Sequence, residues 1–409
     1  MTKNRQLLLI LCIALLDVTA ANGLGALISD YVVDLPAKSL MLTGGVAVML
    51  SIQLAFSPAI GNWSDKKGRR RVILATTLAS FLSTLLLLQV QAGTYVANRV
   101  AKGGTNGLYA VLRSSITDLT DKQELVRWSG ILSFIVGSGP VVGPMVAGLF
   151  LLSTSAVRFD PVPTVLFLLA VGLLNIGLAL TFRETNPKRE ELDPDQIKEK
   201  MLSSIKVVTL WQQLNESEEK VPGIKPVFIL NMLGTLGIGY YTFFVAFLTQ
   251  SQLLMSTRQT AVFFVYFGAL ALLANVVFFR FLAHRVHKRK VIIGLALLGI
   301  VLQMLYAFIG PSETMLYVVG GIDALTVSVL SGLIGSILSQ ITKAGGGQGE
   351  VFGNIQALGG LASFSTALVN SLLSSVSPQA PFVFCALSLM AVVFWSLRLP
   401  DTARQYTDA

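Results

Sequence analysis

Runs of about twenty apolar residues recur twelve times along the 409-residue chain, at about 6–30, 38–60, 72–92, 94–116, 127–152 and 162–182, then at about 226–249, 259–280, 290–309, 314–340, 351–375 and 379–398. A helix of that length matches the hydrocarbon core of a bilayer. Hydrophobic residues make up 53% of the chain and charged residues 13%, against roughly a quarter charged in a soluble domain. Such a chain cannot cover itself with polar side chains, so water is excluded as its main solvent. The 36 glycines suit helices that pack closely in lipid. The first run is too long, and too well followed by others, for a cleaved signal peptide. Cys12 and Cys385 each sit inside an apolar run, far apart, which excludes a disulfide-built fold. Two cysteines and two histidines make a zinc site unexpected.

The net charge of +9 is a topology signal. Basic residues mark the cytoplasmic side of a membrane protein. With the N-terminus (Lys3, Arg5) inside, the inner loops carry Lys66, Lys67 and Arg69 to Arg71, then Lys122 and Arg127, the central stretch, and Arg285 and Lys288 to Lys290. The outer loops carry only Lys38, Arg158 and Arg258, so about 26 of the 31 basic residues fall inside. Both termini are expected in the cytoplasm, and no nucleic-acid partner is expected.

The polar stretch divides the chain into an N-terminal six-helix bundle (1–183), a cytoplasmic linker (184–225) and a C-terminal six-helix bundle (226–409). Within the linker Ile197, Met201, Ile205 and Val208 recur at helical spacing before Trp211. Two readings stand: an amphipathic helix on the inner membrane face, or a solvated connection. The two halves also repeat. Gly61-Asn-Trp-Ser-Asp65-Lys-Lys-Gly68-Arg69-Arg70-Arg71 aligns without a gap, 219 residues on, with Arg280-Phe-Leu-Ala-His284-Arg285-Val-His287-Lys288-Arg289-Lys290. Each segment joins the second and third spans of its half. The second copy keeps the basic run and lacks the aspartate and glycine. Repeated halves are the build of many secondary transporters, with the substrate site near mid-membrane.

Gly61…Asp65-Lys66-Lys67-Gly68-Arg69-Arg70 resembles the loop signature of the major facilitator superfamily. In span 5, Gly137-Ser-Gly139-Pro140-Val-Val-Gly143-Pro144…Gly148 resembles the antiporter motif of that superfamily's drug exporters. Asn98-Arg99…Lys102-Gly103…Gly107 in span 4 is similar to their arginine-containing motif. Gln53…Phe56-Ser57-Pro58, Ile116-Thr117-Asp118-Leu119-Thr120 and Gln348-Gly349…Gly353 look like the tetracycline-efflux type of drug/proton antiporter. The resemblance runs from the first span to the twelfth and carries no substrate identity. It implies an all-α membrane protein with twelve transmembrane helices in two six-helix halves, the major facilitator fold, acting as a monomer in the bacterial inner membrane. Span 1 lacks the proline such exporters usually carry.

The resemblance further implies a conformational latch at the loop. The match to Asp65 docks on the start of span 11, here near Gly349, and the arginines pair with an acid near the end of span 4, here Asp118. A carboxylate at a membrane surface can bond arginines or an exposed helix N-terminus. The plainer reading is a static loop of topology-setting charges. Pro140 and Pro144 each remove a backbone hydrogen bond, and Gly137, Gly139, Gly143 and Gly148 let span 5 lie close against a neighbour, expected in the second half.

Ionisable groups within lipid are costly and mark function by default. Asp17 lies halfway along span 1 and Asp323 near the middle of span 10. Each is a candidate proton carrier or counter-charge for a cationic substrate, or a structural carboxylate bonded in the core. Arg99 resembles the arginine the family implicates in proton coupling, with snorkelling to the outer surface as its alternative. Lys102 lies one turn deeper and is a candidate for the same role or for the substrate cavity. Arg113 is expected to be a structural partner of Asp118 or the Asp65 loop. Asn22, Gln53, Asn231, Gln303, Asn354 and Gln356 are dispersed through the spans, as helix-to-helix bonds or cavity groups. Tyr240, Phe243 and Phe244 of span 7, with Phe263, Phe264 and Phe267 of span 8, are candidates for an apolar wall or for packing.

No Walker loop is present, so ATP drive is not expected. No nucleophile–base pairing suggests an enzyme, and no cofactor is expected. The reading is a secondary transporter that exports small amphipathic or aromatic compounds in exchange for protons by alternating access. Its alternatives are the same fold with a lipid, siderophore, sugar or metabolite as cargo, by symport or uniport, and a non-transporting sensor or scaffold. A small-molecule substrate, protons and the lipid bilayer are the expected partners.

Overall fold

The computed structural model describes residues 3–26, 31–32, 38–121, 124, 128, 131–132, 135–153, 161–186, 207–239, 253–283, 285–310, 312–344 and 349–407. Among them there is no strand. The helices are α1 (Lys3–Asn22), α2 (Lys38–Lys67), α3 (Arg69–Leu85), α4 (Ala92–Thr105), α5 (Leu108–Leu119), α6 (Gly139–Ser153) and α7 (Pro161–Thr181). They continue as α8 (Val207–Lys220), α9 (Ile224–Ile238), α10 (Thr257–Val277), α11 (Lys288–Phe308), α12 (Glu313–Ala344), α13 (Gly349–Val376), α14 (Ala380–Leu397) and α15 (Asp401–Thr407).

Among the described residues, eight helical stretches are long and apolar enough to cross a membrane: Lys3–Asn22, Gly44–Lys67, Arg69–Leu88, Val162–Thr181, Arg258–Leu282, Lys288–Phe308, Glu313–Leu338 and Ala380–Leu397. They coincide with expected spans 1, 2, 3, 6, 8, 9, 10 and 12. The shorter apolar helices Val142–Leu152, Ile224–Ile238 and Gly360–Ser374 fall within spans 5, 7 and 11. Their outer faces stay apolar, with Leu166, Leu173, Leu174 and Leu180 of α7 exposed, as a lipid-facing surface requires. The protein is a multi-pass membrane protein.

Span 4 differs from its expected form. One continuous helix over 94–116 is replaced by α4 and α5, which meet at Asn106 and Gly107. Gly103, Gly104 and Gly107 supply no side chain there to hold a regular turn together. The central helix also differs. Ile197, Met201 and Ile205 lie outside the described residues. In α8, Val208 and Trp211 are exposed while Leu214 and Ser217 are buried.

The chain divides into two compact units, Met1–Pro36 with Val48–Gln212, and Ala37–Ala47 with Gln213–Ala409. In the first, α1 packs on α5, α6 and α7, and α3 packs on α4, α5 and α7. Its core joins Leu7, Ile10 and Ala14 of α1 to Leu108, Val111, Leu112 and Ile116 of α5, spacings that set one helix face inward. In the second, α14 packs on α9 and α11, and α12 packs on α9, α10 and α11. A Cβ on Gly237 or Gly299 would lie 2.7 or 2.9 Å from the side chain of Leu389. Two backbones therefore close on one leucine of α14.

Two helix starts share one device. Gly68 and Gly223, both at φ +95°, cap α3 and α9. Glu184 accepts the Arg69 and Arg70 amides at 2.8 and 3.2 Å. Glu218 accepts the Gly223 and Lys225 amides at 2.7 and 2.6 Å. In each case a carboxylate occupies the positive end of a helix dipole.

Candidate functional site: a buried charged cluster in the first unit

Three helices of the first unit, α3, α4 and α5, bring polar groups to Asp17 of α1. The face of α3 that carries Thr76, Thr77, Ser80, Ser83 and Thr84 is buried. Most of these hydroxyls bond back to carbonyls of their own helix, as small hydroxylated side chains do. Ser80 instead donates outward, to Asp17 Oδ1 at 2.8 Å. Lys102 Nζ of α4 lies 3.3 Å from the same oxygen and also donates to Ser80 Oγ. Tyr109 of α5 donates to Asp17 Oδ2 at 2.8 Å. The Asp17 and Lys102 side chains are each 3% exposed. Among the described residues, every hydrogen-bond partner of this carboxylate is a donor, which suits its charged form.

Toward the C-terminal end of α1, a small pocket is lined by Ala20, Ala21, Leu24, Thr84, Leu87, Asn98, Arg99 and Lys102. Asn98 donates to the Ser83 carbonyl at 2.8 Å. The Arg99 guanidinium lies 4.9 Å from the centre of the Tyr95 ring, within cation–π range. Tyr31 donates to the Leu87 carbonyl at 3.0 Å. Burial pushes its hydroxyl up to about 12, with Arg99 pulling the other way, so the phenol stays neutral.

Close backbone approach places these groups. A Cβ on Gly103 would lie 2.4 Å from the Met49 carbonyl oxygen, and one on Gly107 2.8 Å from Ile60 Cβ. Between them Asn106 donates to Gln53 Oε1 at 2.9 Å. The motif glycines of span 4 thus seat α4 and α5 against α2. Gly139 and Gly143 face Val18, Asn22 and Gly23, which belong to the first unit rather than the expected second half. Asn22 bonds its own helix at Val18 O, 2.9 Å. Pro144 is buried inside α6 and Gly148 is buried. A Cβ on Gly137 would meet nothing within 4 Å. The side chain of Pro140 lies outside the described residues.

At the loop between α2 and α3, Arg69 pairs with Asp65 at 2.5 Å and with Asp118 at 3.1 Å. The start of the linker joins this group. Thr185 donates to Asp118 at 3.1 Å, Asn186 to the Asp65 carbonyl at 3.0 Å, and Glu184 holds the two amides of α3. Arg70 donates to the Leu180 carbonyl at 3.1 Å. A Cβ on Gly61 would meet nothing within 4 Å.

In the second unit Asp323 is fully buried and accepts the Tyr306 hydroxyl at 3.1 Å. Gln303 is buried on α11 and Asn231 half-buried on α9. Phe263 and Phe267 pack against each other, and Phe263 against Tyr317 of α12. Tyr240, Phe243, Phe244, His284 and the side chains of Asn354 and Gln356 lie outside the described residues.

Ser80, Tyr109 and Glu184 were not singled out from sequence. The spacing of Thr76, Thr77, Ser80, Ser83 and Thr84 was a readable signal, since it traces one helix face. Tyr109 and Glu184 carried none.

Residues 7–364 match the sequence profile of the Major Facilitator Superfamily. The Tetracycline resistance protein, class H, of Pasteurella multocida is 30% identical over 220 residues, 51% of this chain and 52% of its own. The class D protein of Salmonella ordonez is 33% identical over 156 residues, 36% of this chain and 38% of its own. The Methylenomycin A resistance protein of Streptomyces coelicolor is 27% identical over 173 residues, 42% and 34%. The chain thus spans about half the length, or less, of the curated relatives it matches. The crystal structure of the human organic anion transporter MFSD10 (TETRAN) superposes with a TM-score of 0.70 at 16% identity, covering 97% of this chain and 100% of that one, a likeness of fold. With the profile running from the first span into the eleventh, and the same fold recovered over nearly every residue, the chain belongs to the Major Facilitator Superfamily.

Proposed function

We propose that the protein is a proton-coupled secondary transporter that exports small amphipathic or aromatic compounds by alternating access. The halves 1–183 and 226–409 are the moving bodies, joined by 184–225. Family membership and the resistance proteins among its relatives support an export role. The basic inner loops support cytoplasmic termini in a bacterial inner membrane. A monomer is the working unit.

The observation that carries the coupling is the all-donor cradle around Asp17. A proton on this carboxylate removes the charge that holds Lys102 and turns an acceptor into a donor among donors. Ser80, Lys102 and Tyr109 must then rearrange. Proton uptake is thereby tied to movement of α1 against α3, α4 and α5. Asp323 with Tyr306 is the second candidate proton site. The Asp65–Arg69–Asp118 group acts as the latch, made in one access state and released in the other.

The test uses purified protein in sealed vesicles with a pH-sensitive dye and an imposed proton gradient. Dyes, antibiotics, siderophores, sugars and lipids are added in turn. A compound that makes protons flow in the wild type, and does not in Asp17→Asn or Asp323→Asn, supports the antiporter. Passage of cargo without proton movement, unaffected by either substitution alone or both together, defeats it and leaves a facilitator.

A further inference from the structure

We propose that the paired ends of α11 and α14 form a docking surface for the headgroup of an anionic phospholipid. The two helices pack side by side and antiparallel. Arg289 reaches the Ser396 and Leu397 carbonyls at one end, and Tyr306 stacks on Phe382 at the other. The start of α11 and the end of α14 therefore lie at one level. On α11, Lys290, Leu297 and Val301 are exposed, at the i, i+7, i+11 spacing of a single helix face. On α14, Leu387, Phe394 and Arg398 repeat that spacing and are exposed. The basic residue comes first on α11 and last on α14, as the antiparallel arrangement demands. Each stripe is apolar along the span and basic where the span ends. A phospholipid beside the pair lays its chains on the apolar part and its headgroup against the basic rim.

The sequence around this rim is one-sided in charge. No acidic residue occurs between Glu219 and Glu313, while Arg280, Arg285, Lys288, Arg289 and Lys290 fall between them at or near the start of α11. The first unit builds the matching joint with its own acids. There Arg69 pairs with Asp65 and Asp118, and Glu184, which follows Arg183, accepts the Arg69 and Arg70 amides. In the second unit the residue that follows Arg398 is Leu399, which is buried. Asp401 pairs with Arg404 at 3.2 Å. Lys288 donates to the Gln340 amide oxygen at 3.1 Å and Arg289 to its two carbonyls, so the charges they carry are not cancelled by these acceptors. An anion complements such a surface, and in a bilayer the anion held at this level is the phosphate of a lipid. A zwitterionic lipid brings its own cation to the same place and complements it less. The transport reading plays no part in this chemistry.

The test reads Trp395, one turn before Arg398, whose indole is held by the Pro226 carbonyl at 2.8 Å. Trp63, Trp128 and Trp211 are replaced by phenylalanine. The full chain is placed in nanodiscs of mixed phosphatidylglycerol and phosphatidylcholine, with one lipid or the other brominated so that it quenches a nearby indole. The ratio of quenching gives the preference for the anionic lipid at this site. A preference of about fivefold is expected, the scale of one basic residue at a charged surface. Lys290→Gln with Arg398→Gln should bring the ratio to about one, and molar salt should do the same to the unsubstituted rim. Equal quenching by the two lipids overturns the proposal, as does a preference that survives the double substitution. If the double variant does not fold, Lys290→Gln and Arg398→Gln singly decide, each with a lowered ratio expected. If the single-tryptophan chain does not fold, the difference between the full chain and Trp395→Phe reports the same site. Loss of the preference on adding glycerol phosphate, where sodium chloride of equal ionic strength leaves it intact, assigns the surface to a dissolved phosphate and overturns the lipid. No cargo and no proton gradient enter these measurements, so their outcome is independent of the antiport assay.

Discussion

Arg70 and Arg289, 219 residues apart, make the same kind of bond. Each is the second residue of its helix, α3 or α11. Each reaches the carbonyl end of a later helix of its own unit, α7 or α14. Arg70 donates to Leu180 O at 3.1 Å, and Arg289 to Ser396 O and Leu397 O at 2.7 and 2.8 Å. Carbonyls in the last turn of a helix lack an intrahelical partner, and a guanidinium supplies one. The repeated basic run is therefore a repeated structural joint as well as a topology signal. At about 1 kcal/mol per bond, Arg289→Ala should destabilise its unit more than Arg70→Ala does. Faster hydrogen exchange around 396–399 than around 180–182 in the respective variants checks this. Equal, negligible effects would show both arginines to be solvated charges.

The buried Asp17–Lys102 pair predicts a strongly non-additive pair of substitutions. Lys102→Gln strands a carboxylate in the core and should cost about 3–5 kcal/mol. Lys102→Gln combined with Asp17→Asn removes both charges and should recover most of that loss. Reversible unfolding in detergent, run as a double-mutant cycle, measures the coupling. Additive losses would mean that the two side chains do not share a charge interaction.

Adjacent glycines of α4 give a test with its own control. A Cβ on Gly103 would meet backbone at 2.4 Å, whereas one on Gly104 meets nothing within 4 Å. Gly103→Ala should force α4 away from α2 and cost about 1–3 kcal/mol. Gly104→Ala should be neutral or stabilising by about 0.5–1 kcal/mol. Melting temperatures of the two variants decide, and a reversed order contradicts the packing described.

Glu184→Gln keeps the size of the cap on α3 but removes its charge and one of the two oxygens that accept from the Arg69 and Arg70 amides, at an expected cost of about 1–2 kcal/mol. Glu184→Ala removes the remaining acceptor too, for about 1 kcal/mol more. Hydrogen exchange of the Arg69 and Arg70 amides should accelerate in that order. Unchanged exchange in Glu184→Ala would show the cap to be unimportant.

The spans were legible because bilayer thickness writes itself into apolar run length. Asp17, Lys102 and Arg99 were legible as candidates because charges are rare among such runs. Their pairing was not. Asp17 and Lys102 are 85 residues apart, and spacing alone does not fix which way a side chain points across a bundle. Arg99 and Lys102 lie three apart on one helix, yet one meets a carboxylate and the other an aromatic ring. Glu184 read as part of a polar linker because its partners are the amides of Arg69 and Arg70, more than a hundred residues earlier. The break in span 4 was hidden by its composition, since glycines fit both a tightly packed helix and an interrupted one.

Gly68 and Glu184 compete for one volume. A Cβ at position 68 would sit 2.4 Å from Glu184 Oε2, on a backbone at φ +95° that side chains rarely adopt. A lineage that gained any side chain at 68 would have to swing the Glu184 carboxylate off the Arg69 and Arg70 amides or replace it. Across descendants of this chain a change at 68 should therefore be accompanied by a change at 184.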